Sequence, residues 1–225
     1  MLKEQKHNNM YNWVTHTWNP VKGKCSHDCI YCYTKMSKTQ KPLRLTPHEF
    51  NIDLGENNTI FVCSGCDLFA ENVPNEWIIK TIKYCNKYNN TYLLQTKNPK
   101  RFLDFLNIIP KGDKFILGTT VESNRIYPEM GNTPSPINRL LAIQKLKEYY
   151  HKTMVTIEPI MDFDLFVLVE LLKKARPSWV NIGANSNLKI NLKEPKKEKI
   201  LNFIDEISTF TKIIQKHNLN RLLEK

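Results

Sequence analysis

The sequence has 225 residues, of which 41% are hydrophobic and 24% charged, a composition typical of a globular protein that excludes a disordered or fibrous chain. No apolar run reaches the roughly 18 residues of a membrane span, and residues 1–11 lack the apolar core of a secretory signal, so we expect a cytoplasmic protein with no membrane insertion. The formal net charge of +11 favours polyanionic partners such as nucleic acid, although 27 lysines against only 6 arginines also fit the plain compositional bias of an AT-rich genome.

Six short apolar runs, rich in β-branched or aromatic residues, alternate with helical patterns along the chain. This alternation is the signature of β/α units and a parallel sheet. The predicted strands are 13–18, 59–63, 91–95, 114–119, 153–157 and 178–182. The predicted helices are 76–88, 100–107, 137–150, 164–175 and a long amphipathic closing helix over 195–217.

No linker or composition shift divides the chain, so a single domain over 1–225 is expected. Six units in 225 residues fall short of the eight units and about 250 residues of a closed barrel. The expected fold class is α/β, either an open six-stranded partial barrel or a doubly wound sheet. In both, the site forms where loops follow the strands, and the proline-rich segment 127–136 is predicted to be such a loop.

The most informative segment is a loop over 19–33, directly after the first predicted strand. It contains Cys25, Cys29 and Cys32, spaced by three and then two residues. In a reducing compartment such cysteines are metal ligands, catalytic groups or core residues rather than disulfides. Their short spacings let three sulfurs converge on one metal centre, and three thiolates around a 4Fe–4S cluster leave one iron open.

This spacing, with an aromatic residue directly before the third cysteine (Tyr31), resembles the cluster loop of the radical S-adenosylmethionine superfamily. Seven further segments look like successive motifs of a phage-associated branch of that superfamily whose function is unknown, and the match spans roughly residues 12–187. The segments are 17–20, 61–69, 73–78, 94–101, 120–124, 157–159 and 179–183. One departure is the Cys-x2-Cys pair of Cys63 and Cys66, which the branch does not fix.

The resemblance implies a partial (β/α)6 TIM-like barrel with parallel strands, of radical S-adenosylmethionine type. It also implies two cofactors, a 4Fe–4S cluster held by Cys25, Cys29 and Cys32, and S-adenosylmethionine bound to the open iron. Reductive cleavage of S-adenosylmethionine would yield a 5′-deoxyadenosyl radical that abstracts hydrogen from a substrate. The implied partners are an electron donor such as flavodoxin or ferredoxin and an unidentified substrate, for which we favour nucleic acid or a nucleoside.

By analogy with the superfamily, the loop after the second predicted strand would meet the methionine end of S-adenosylmethionine. Polar groups after the fourth predicted strand would meet its ribose. Residues within and directly after the sixth predicted strand would meet its adenine. The residues concerned are Ser64, Gly65 and Asp67 for the methionine end, Glu122 or Ser123 for the ribose, and Asn181 and Gly183 for the adenine. Two of them have structural alternatives, since Asp67 could cap a helix and Gly183 could end a strand.

Three residues are candidates for catalysis. Cys66 would face the substrate as a hydrogen-atom donor, against the alternative of a small buried apolar side chain. Lys97 and Glu158 follow the third and fifth predicted strands, where catalytic groups are expected. Glu158 is flanked by apolar residues and needs a partner if buried, so an ion pair with Lys97 is the alternative to binding cofactor or substrate.

A competing hypothesis is a non-catalytic zinc module that binds nucleic acid. Two Cys-x2-Cys pairs are a common arrangement around tetrahedral zinc, and the lysines would contact phosphates. The four ligands would be Cys29, Cys32, Cys63 and Cys66. Against this hypothesis, the gap between the pairs exceeds the usual spacing of about 15 to 20 residues, and six β/α units are more structure than such a module needs.

Overall fold

The computed structural model describes residues 2–5, 10–36, 41–149 and 151–224. The strands are β1 (Lys3–Glu4), β2 (His16–Trp18), β3 (Val21–Lys22), β4 (Arg44–Leu45), β5 (Thr59–Val62), β6 (Thr91–Thr96), β7 (Gly112–Thr120), β8 (His151–Ile157), β9 (Trp179–Ile182) and β10 (Lys212–Gln215). The α-helices are α1 (Asn75–Cys85), α2 (Pro136–Glu148), α3 (Leu165–Ala175), α4 (Lys197–Ser208) and α5 (Asn220–Leu223). Short 3-10 helices cover Tyr33–Met36, Pro47–Asn51, Pro99–Phe105, Pro128–Met130 and His217–Leu219.

Six parallel strands form the body of the main sheet in the same order as in the sequence. β2, β5, β6, β7, β8 and β9 are successive neighbours, and every pair in this series is parallel. They correspond to the six strands predicted from the sequence. A doubly wound sheet would reverse its order at a switch point, so the unbroken order confirms the partial (β/α)6 barrel over that alternative.

The C-terminal part of the chain differs from the predicted single helix over 195–217, which is wrong. α4 ends at Ser208, and the chain continues into β10, which pairs in parallel with β9 as a seventh parallel strand. The buried face of α4 ends with Ile207, and four of the six residues in 209–214 are β-branched. Because β-branched side chains favour strands, the helical pattern stops there.

The other predicted helices are present with small differences. Segments 76–88, 137–150 and 164–175 correspond to α1, α2 and α3, whereas 100–107 corresponds to the 3-10 helix Pro99–Phe105. The predicted end at residue 150 lies outside the described residues, and α2 extends to Glu148. None of the helices in the described ranges combines the length and apolar character that crossing a bilayer requires.

Alternation along the strands divides the apolar side chains between two layers. On β6, Leu94 joins the main core with residues of the helices, whereas Leu93 faces the barrel interior. There Leu93 packs with Ile116 of β7, Met154 of β8 and Tyr11 from the N-terminal segment. The barrel interior is therefore filled at this level, and room for a ligand has to be sought at the strand ends.

Because the six strands are parallel, their carboxyl ends meet at one rim of the barrel. The loops after β2, β5, β6, β7, β8 and β9 carry nearly all of the site residues predicted from the sequence, and Asn181 lies within β9. The segment 127–136 follows β7 and leads into α2, as expected for a loop on this side. The fold thus brings the predicted residues together at the carboxyl ends of the strands.

Candidate functional site

The cysteine loop, residues 19–33, follows β2 at the carboxyl rim. Its three predicted ligands are free thiols, of which Cys29 is buried and Cys25 and Cys32 are partly exposed. Burial raises the pKa of Cys25, and the neighbouring Asp67 carboxylate adds to the effect. Burial also raises the pKa of Cys29, although the positive charge of Lys97 opposes it. The loop therefore presents thiols at the rim that must lose a proton when they bind a metal.

His27, between the first two cysteines, is anchored to Asp67 in the loop after β5. His27 Nε2 lies 2.9 Å from Asp67 Oδ2, which also accepts hydrogen bonds from Thr96 Oγ1 at 3.0 Å and the Lys97 backbone N–H at 2.8 Å. Asp67 Oδ1 accepts from the Phe69 N–H at 2.9 Å. Burial would raise the pKa of Asp67, but the hydrogen bonds and the His27 ring hold it below its usual value. This carboxylate is therefore engaged by four protein groups.

Tyr31, between the second and third cysteines, is anchored to Glu122 in the loop after β7. Its hydroxyl donates to Glu122 Oε1 at 2.5 Å. Glu122 is fully buried and also pairs with Lys97 Nζ and, at 2.8 Å, with Arg139 Nη1. Burial disfavours the charged form, but the two cations prevail and lower the pKa of Glu122 to about 2. With three partners, Glu122 holds the cysteine loop and leaves little of its carboxylate for a ribose.

Arg139 in α2 is a rim residue that the sequence analysis missed. Its guanidinium is fully buried and donates to Glu122, to the Thr120 carbonyl oxygen at 2.6 Å and, through Nε, to the Pro134 carbonyl oxygen at 2.8 Å. The available signal was its position on the buried face of α2, because a buried arginine requires an acidic partner. The sequence alone does not say which acid that is.

The loop after β5 presents Ser64 and Gly65 at the rim, as predicted. The side-chain oxygen of Asn19 fixes this loop by accepting hydrogen bonds from the Gly65 N–H at 3.1 Å and Ser64 Oγ at 3.3 Å. Tyr33 donates a further hydrogen bond to the Ser64 carbonyl oxygen. A Cβ added at Gly65 would lie 3.8 Å from Asn19 Oδ1, an ordinary van der Waals contact, so the loop is not crowded at this residue.

Cys63 and Cys66 lie at the start and the end of the turn 63–66, and both are buried. Burial raises the pKa of Cys63 to about 12. Burial also raises the pKa of Cys66, and the neighbouring groups Cys63, Asp67 and Cys32 add to that effect. Cys66 therefore lies close to the cysteine loop. Asp67 does not cap an α-helix, since α1 begins only at Asn75.

Glu158 and Ser123 have protein partners. Glu158 Oε2 lies 2.5 Å from Lys216 Nζ, and its Oε1 accepts a hydrogen bond from Asn218 Nδ2 at 2.8 Å. Ser123 Oγ donates to the Asp162 carbonyl oxygen at 2.7 Å. Glu158 therefore forms an ion pair, as the structural alternative predicted, but its partner is Lys216. Lys97, the predicted partner, pairs with Glu122. The roles of Lys216 and Asn218 could not be predicted from the sequence, because Lys216 falls within the predicted closing helix over 195–217 and Asn218 directly follows it.

Asn181 lies within β9, and Gly183 follows the strand. Asn181 is fully buried inside the barrel, where Nδ2 donates to Thr156 Oγ1 at 3.1 Å. Its Oδ1 has no hydrogen-bond partner among the residues that the structure describes. Thr156 Oγ1 also lies 2.6 Å from the hydroxyl of Tyr11, which donates to Gln95 Oε1 at 2.8 Å. A polar layer therefore crosses the barrel interior, and the Asn181 Oδ1 atom in it is available to accept a hydrogen bond.

The rim residues fit the cofactors that the resemblance implies. Three sulfurs in one short loop are a suitable donor set for a 4Fe–4S cluster with one open iron. The uncrowded backbone at Gly65 and the unpartnered oxygen of Asn181 suit S-adenosylmethionine, which carries an ammonium group and an adenine amino group. In the described part of the chain, no three His, Cys, Asp or Glu side chains converge on the position of one metal ion. A cubane has different requirements, because each cysteine binds a different iron.

The two Cys-x2-Cys pairs pack in different surroundings. Cys29 packs with Met130 and Met161, whereas Cys63 and Cys66 belong to the main core. A tetrahedral zinc site needs all four sulfurs about 2.3 Å from one ion. In the part of the chain that the structure describes, no three of these four sulfurs converge on one such position.

Comparison with solved structures shows the fold. A cysteine-to-serine mutant of spore photoproduct lyase matches 92% of this chain and 64% of its own, with a TM-score of 0.61 and 16% identity. A spore photoproduct lyase mutant with bound AdoMet and dinucleoside spore photoproduct matches 91% of this chain and 64% of its own, with a TM-score of 0.60 and 13% identity. SuiB from Streptococcus suis bound to S-adenosylmethionine matches 92% and 52%, with a TM-score of 0.60 and 10% identity.

The chain therefore spans less than two thirds of the length of the proteins it matches. At these identities the likeness shows the fold alone, a partial barrel of parallel strands. No curated protein matches the sequence. A family model matches residues 8–187, a stretch that includes the cysteine loop and the loops of the rim, and the chain therefore belongs to the family described as protein of unknown function (DUF5131).

Proposed function

We propose that the protein is a radical S-adenosylmethionine enzyme. The observation that carries this proposal is the position of Cys25, Cys29 and Cys32, three thiols on one anchored loop at the carboxyl rim of a parallel barrel. Two of the matched structures support it, since they contain AdoMet or S-adenosylmethionine. The cysteines would hold a 4Fe–4S cluster, and the rim beside them would hold S-adenosylmethionine.

The chemistry that these cofactors supply when bound and reduced is cleavage of the sulfonium C–S bond to a 5′-deoxyadenosyl radical, which abstracts hydrogen from a substrate. The chain itself supplies placement and charge. Lys97 puts a positive charge beside Cys29, which favours the thiolate that a metal requires. The fully buried ion pair of Glu122 and Arg139 supports that side of the rim.

The predicted cofactor contacts divide into two groups according to their partners. Residues with space or an unpartnered atom are proposed to contact S-adenosylmethionine, whereas residues whose polar atoms are engaged by the protein are proposed to support the rim. The first group is Gly65 at the methionine end and Asn181 at the adenine. Ser64 and Gly183 are proposed as further contacts by their position at the rim alone, since the Ser64 hydroxyl donates to Asn19 Oδ1 and a Cβ at Gly183 would lie 2.8 Å from Asn218 Oδ1. The second group is Asp67, Glu122 and Ser123.

Three residues are proposed to face the substrate. Lys97 and Glu158 each keep 17% of the side chain exposed despite their ion pairs, so both retain an edge toward the rim. Cys66 lies close to the cysteine loop and is proposed as a hydrogen-atom donor. A thiol suits that role because its S–H bond is weak enough to quench a carbon radical.

For the substrate we propose nucleic acid or a nucleoside. The net charge of +11 supports a polyanion, and one matched structure is spore photoproduct lyase complexed with dinucleoside spore photoproduct. Another is SuiB bound to its precursor peptide SuiA, so a peptide is the competing class. An external one-electron donor such as flavodoxin or ferredoxin completes the proposed system.

The test is anaerobic purification and reconstitution followed by metal and product analysis. We expect about four irons per chain and 5′-deoxyadenosine from S-adenosylmethionine when a strong reductant is added. Oligonucleotides, nucleosides and peptides added in turn should show which class increases product formation. A colourless protein with one tightly bound zinc and no 5′-deoxyadenosine would overturn the proposal.

A further inference from the structure

We propose that His27 and Tyr31 are positioning residues that lock the cysteine loop in place before any metal binds, with Asp67 and Glu122 as their anchors. This inference deepens the proposed function, since it concerns the loop assigned to the cluster. Its basis, however, lies in contacts between protein groups alone. It predicts a loop that is ordered in the metal-free chain.

The first observation is the interleaving of anchors and cysteines. His27 lies between Cys25 and Cys29, and Tyr31 lies between Cys29 and Cys32. Each therefore fixes the backbone on both sides of its position. Both rings are nearly removed from solvent, with 4% of His27 and 7% of Tyr31 exposed. Buried hydrogen bonds to ionised carboxylates are among the strongest single contacts that a side chain makes.

The second observation is that the two anchors come from different parts of the barrel. Asp67 follows β5, and its other donors are Thr96 and Lys97 at the end of β6. Glu122 follows β7. The cysteine loop is thus tied at two points to three adjacent strands of the sheet. Two separate attachment points resist rotation of the loop, which a single attachment would allow.

The third observation is a backbone support on the other side of the loop. The Ile30 N–H donates to the Glu129 carbonyl oxygen at 2.9 Å, and the Asn132 N–H donates to the His27 carbonyl oxygen at 2.7 Å. Gly131 permits this approach, because its φ is +64° and a Cβ there would lie 2.3 Å from the His27 carbonyl oxygen. The segment 129–132 therefore packs directly against the cysteine loop.

Arg139 links the supports into one unit. It donates to Glu122, which holds Tyr31, and to the Pro134 carbonyl oxygen and Thr133 Oγ1 in the neighbouring loop. The two sides that hold the cysteine loop are thus attached to the same helix, α2. When the loop is ordered in advance, the chain loses less conformational entropy on binding a metal than it would if the metal had to order the loop.

The test measures amide hydrogen exchange of residues 24–33 in the metal-free protein. Tyr31→Phe keeps the ring and leaves Glu122 paired with Lys97 and Arg139, so the variant should fold. Loss of its hydrogen bond should speed exchange in the loop about tenfold, with helix α1 unchanged. Tyr149→Phe on the exposed end of α2 is the matched control and should leave exchange at the wild-type rate.

His27 provides an independent variant with a conservative rescue. His27→Ala should also speed exchange in the loop about tenfold, whereas His27→Gln, which keeps a side-chain N–H donor, should restore part of the protection. Iron reconstitution of the same proteins gives a second readout, in which the Phe and Ala variants should assemble a cluster more slowly than wild type. Wild-type exchange rates in both Tyr31→Phe and His27→Ala would overturn the proposal.

Failure of the positioning role and failure of the proposed function would give different results. If the wild-type protein takes up no iron but Tyr31→Phe loosens the loop, the positioning role stands and the radical S-adenosylmethionine assignment falls. If the wild-type protein assembles the cluster and neither variant changes exchange of the metal-free loop, the assignment stands and the positioning role falls.

Discussion

Arg139 Nη1 lies 2.8 Å from Glu122 Oε2, and both side chains are fully buried. The pair connects α2 to the loop after β7 and, through Tyr31, to the cysteine loop. Removing one partner of such a pair leaves an uncompensated buried charge. The energetic consequence is large because the charge can neither reach water nor find a new partner without a rearrangement.

We therefore expect Arg139→Met to lower the free energy of unfolding by about 3 to 5 kcal/mol. Arg44→Met is the matched control, since Arg44 is exposed and makes one weak hydrogen bond of 3.3 Å to the Pro42 carbonyl oxygen. The control should change stability by less than about 0.5 kcal/mol. Chemical denaturation of the metal-free proteins measures both values. Equal midpoints for the two variants would show that the buried pair is energetically unimportant.

The acid sensitivity of the fold should depend on Glu122. Its pKa is about 2 in the folded protein against an ordinary value of 4.5, so the folded state binds this proton less readily than the unfolded state does. The stabilisation is therefore complete above about pH 4.5 and is lost as the pH falls toward 2, to a total of about 3 kcal/mol. Denaturation midpoints at several pH values between 2 and 7 measure the slope. Glu122→Gln should flatten it in this window, and an unchanged slope would contradict the assignment.

The parallel strands could be predicted because each is a short β-branched or aromatic run, as in the segment that becomes β8. The helix over 195–217 is wrong because Ile214 continues the apolar pattern of α4 at helical spacing, and this pattern masks the β-branched residues of 209–214 that favour the strand paired with β9. Among the site residues, Asp67 and Glu122 were predicted to lie at the rim, and they do. Their partners His27 and Tyr31 could not be inferred, since each pairing joins residues at least 40 positions apart.

The cysteines provide a prediction that separates the cluster from a zinc site. Single replacement of Cys25, Cys29 or Cys32 by alanine should prevent stable assembly of a 4Fe–4S cluster, because each sulfur binds one iron. The double variant Cys63→Ala/Cys66→Ala should retain about four irons, whereas a two-pair zinc site would lose its metal. Cys85→Ala is the control, since Cys85 is buried on α1 away from the rim. Iron, zinc and sulfide analysis after anaerobic reconstitution measures all of these outcomes.

The pair of Lys216 and Glu158 should hold the seventh strand against the rim. Lys216→Met removes the ammonium group that lies 2.5 Å from a mostly buried carboxylate, so we expect a loss of about 1 to 3 kcal/mol in the free energy of unfolding. Lys212→Met is the matched control, because Lys212 is exposed at the start of β10. Chemical denaturation of the two variants beside the wild type measures the difference. If the two lysine variants unfold at the same denaturant concentration, Glu158 does not depend on Lys216.

Gly65 allows cofactor binding to be separated from folding. Its φ lies outside the left-handed region, and a Cβ would have no neighbour closer than 3.8 Å, so Gly65→Ala should fold with the wild-type midpoint. If the methionine end of S-adenosylmethionine lies against Gly65, the added methyl group should weaken binding by about tenfold.

Gly55→Ala is the opposite control. The φ of +62° at Gly55 makes the substitution strained, and the residue precedes β5, at the end of the barrel far from the rim. It should lower stability by about 1 kcal/mol and leave S-adenosylmethionine affinity unchanged. Anaerobic calorimetric titration of the cluster-loaded proteins measures the affinities, and equal affinity of Gly65→Ala and wild type would place the methionine end elsewhere on the rim.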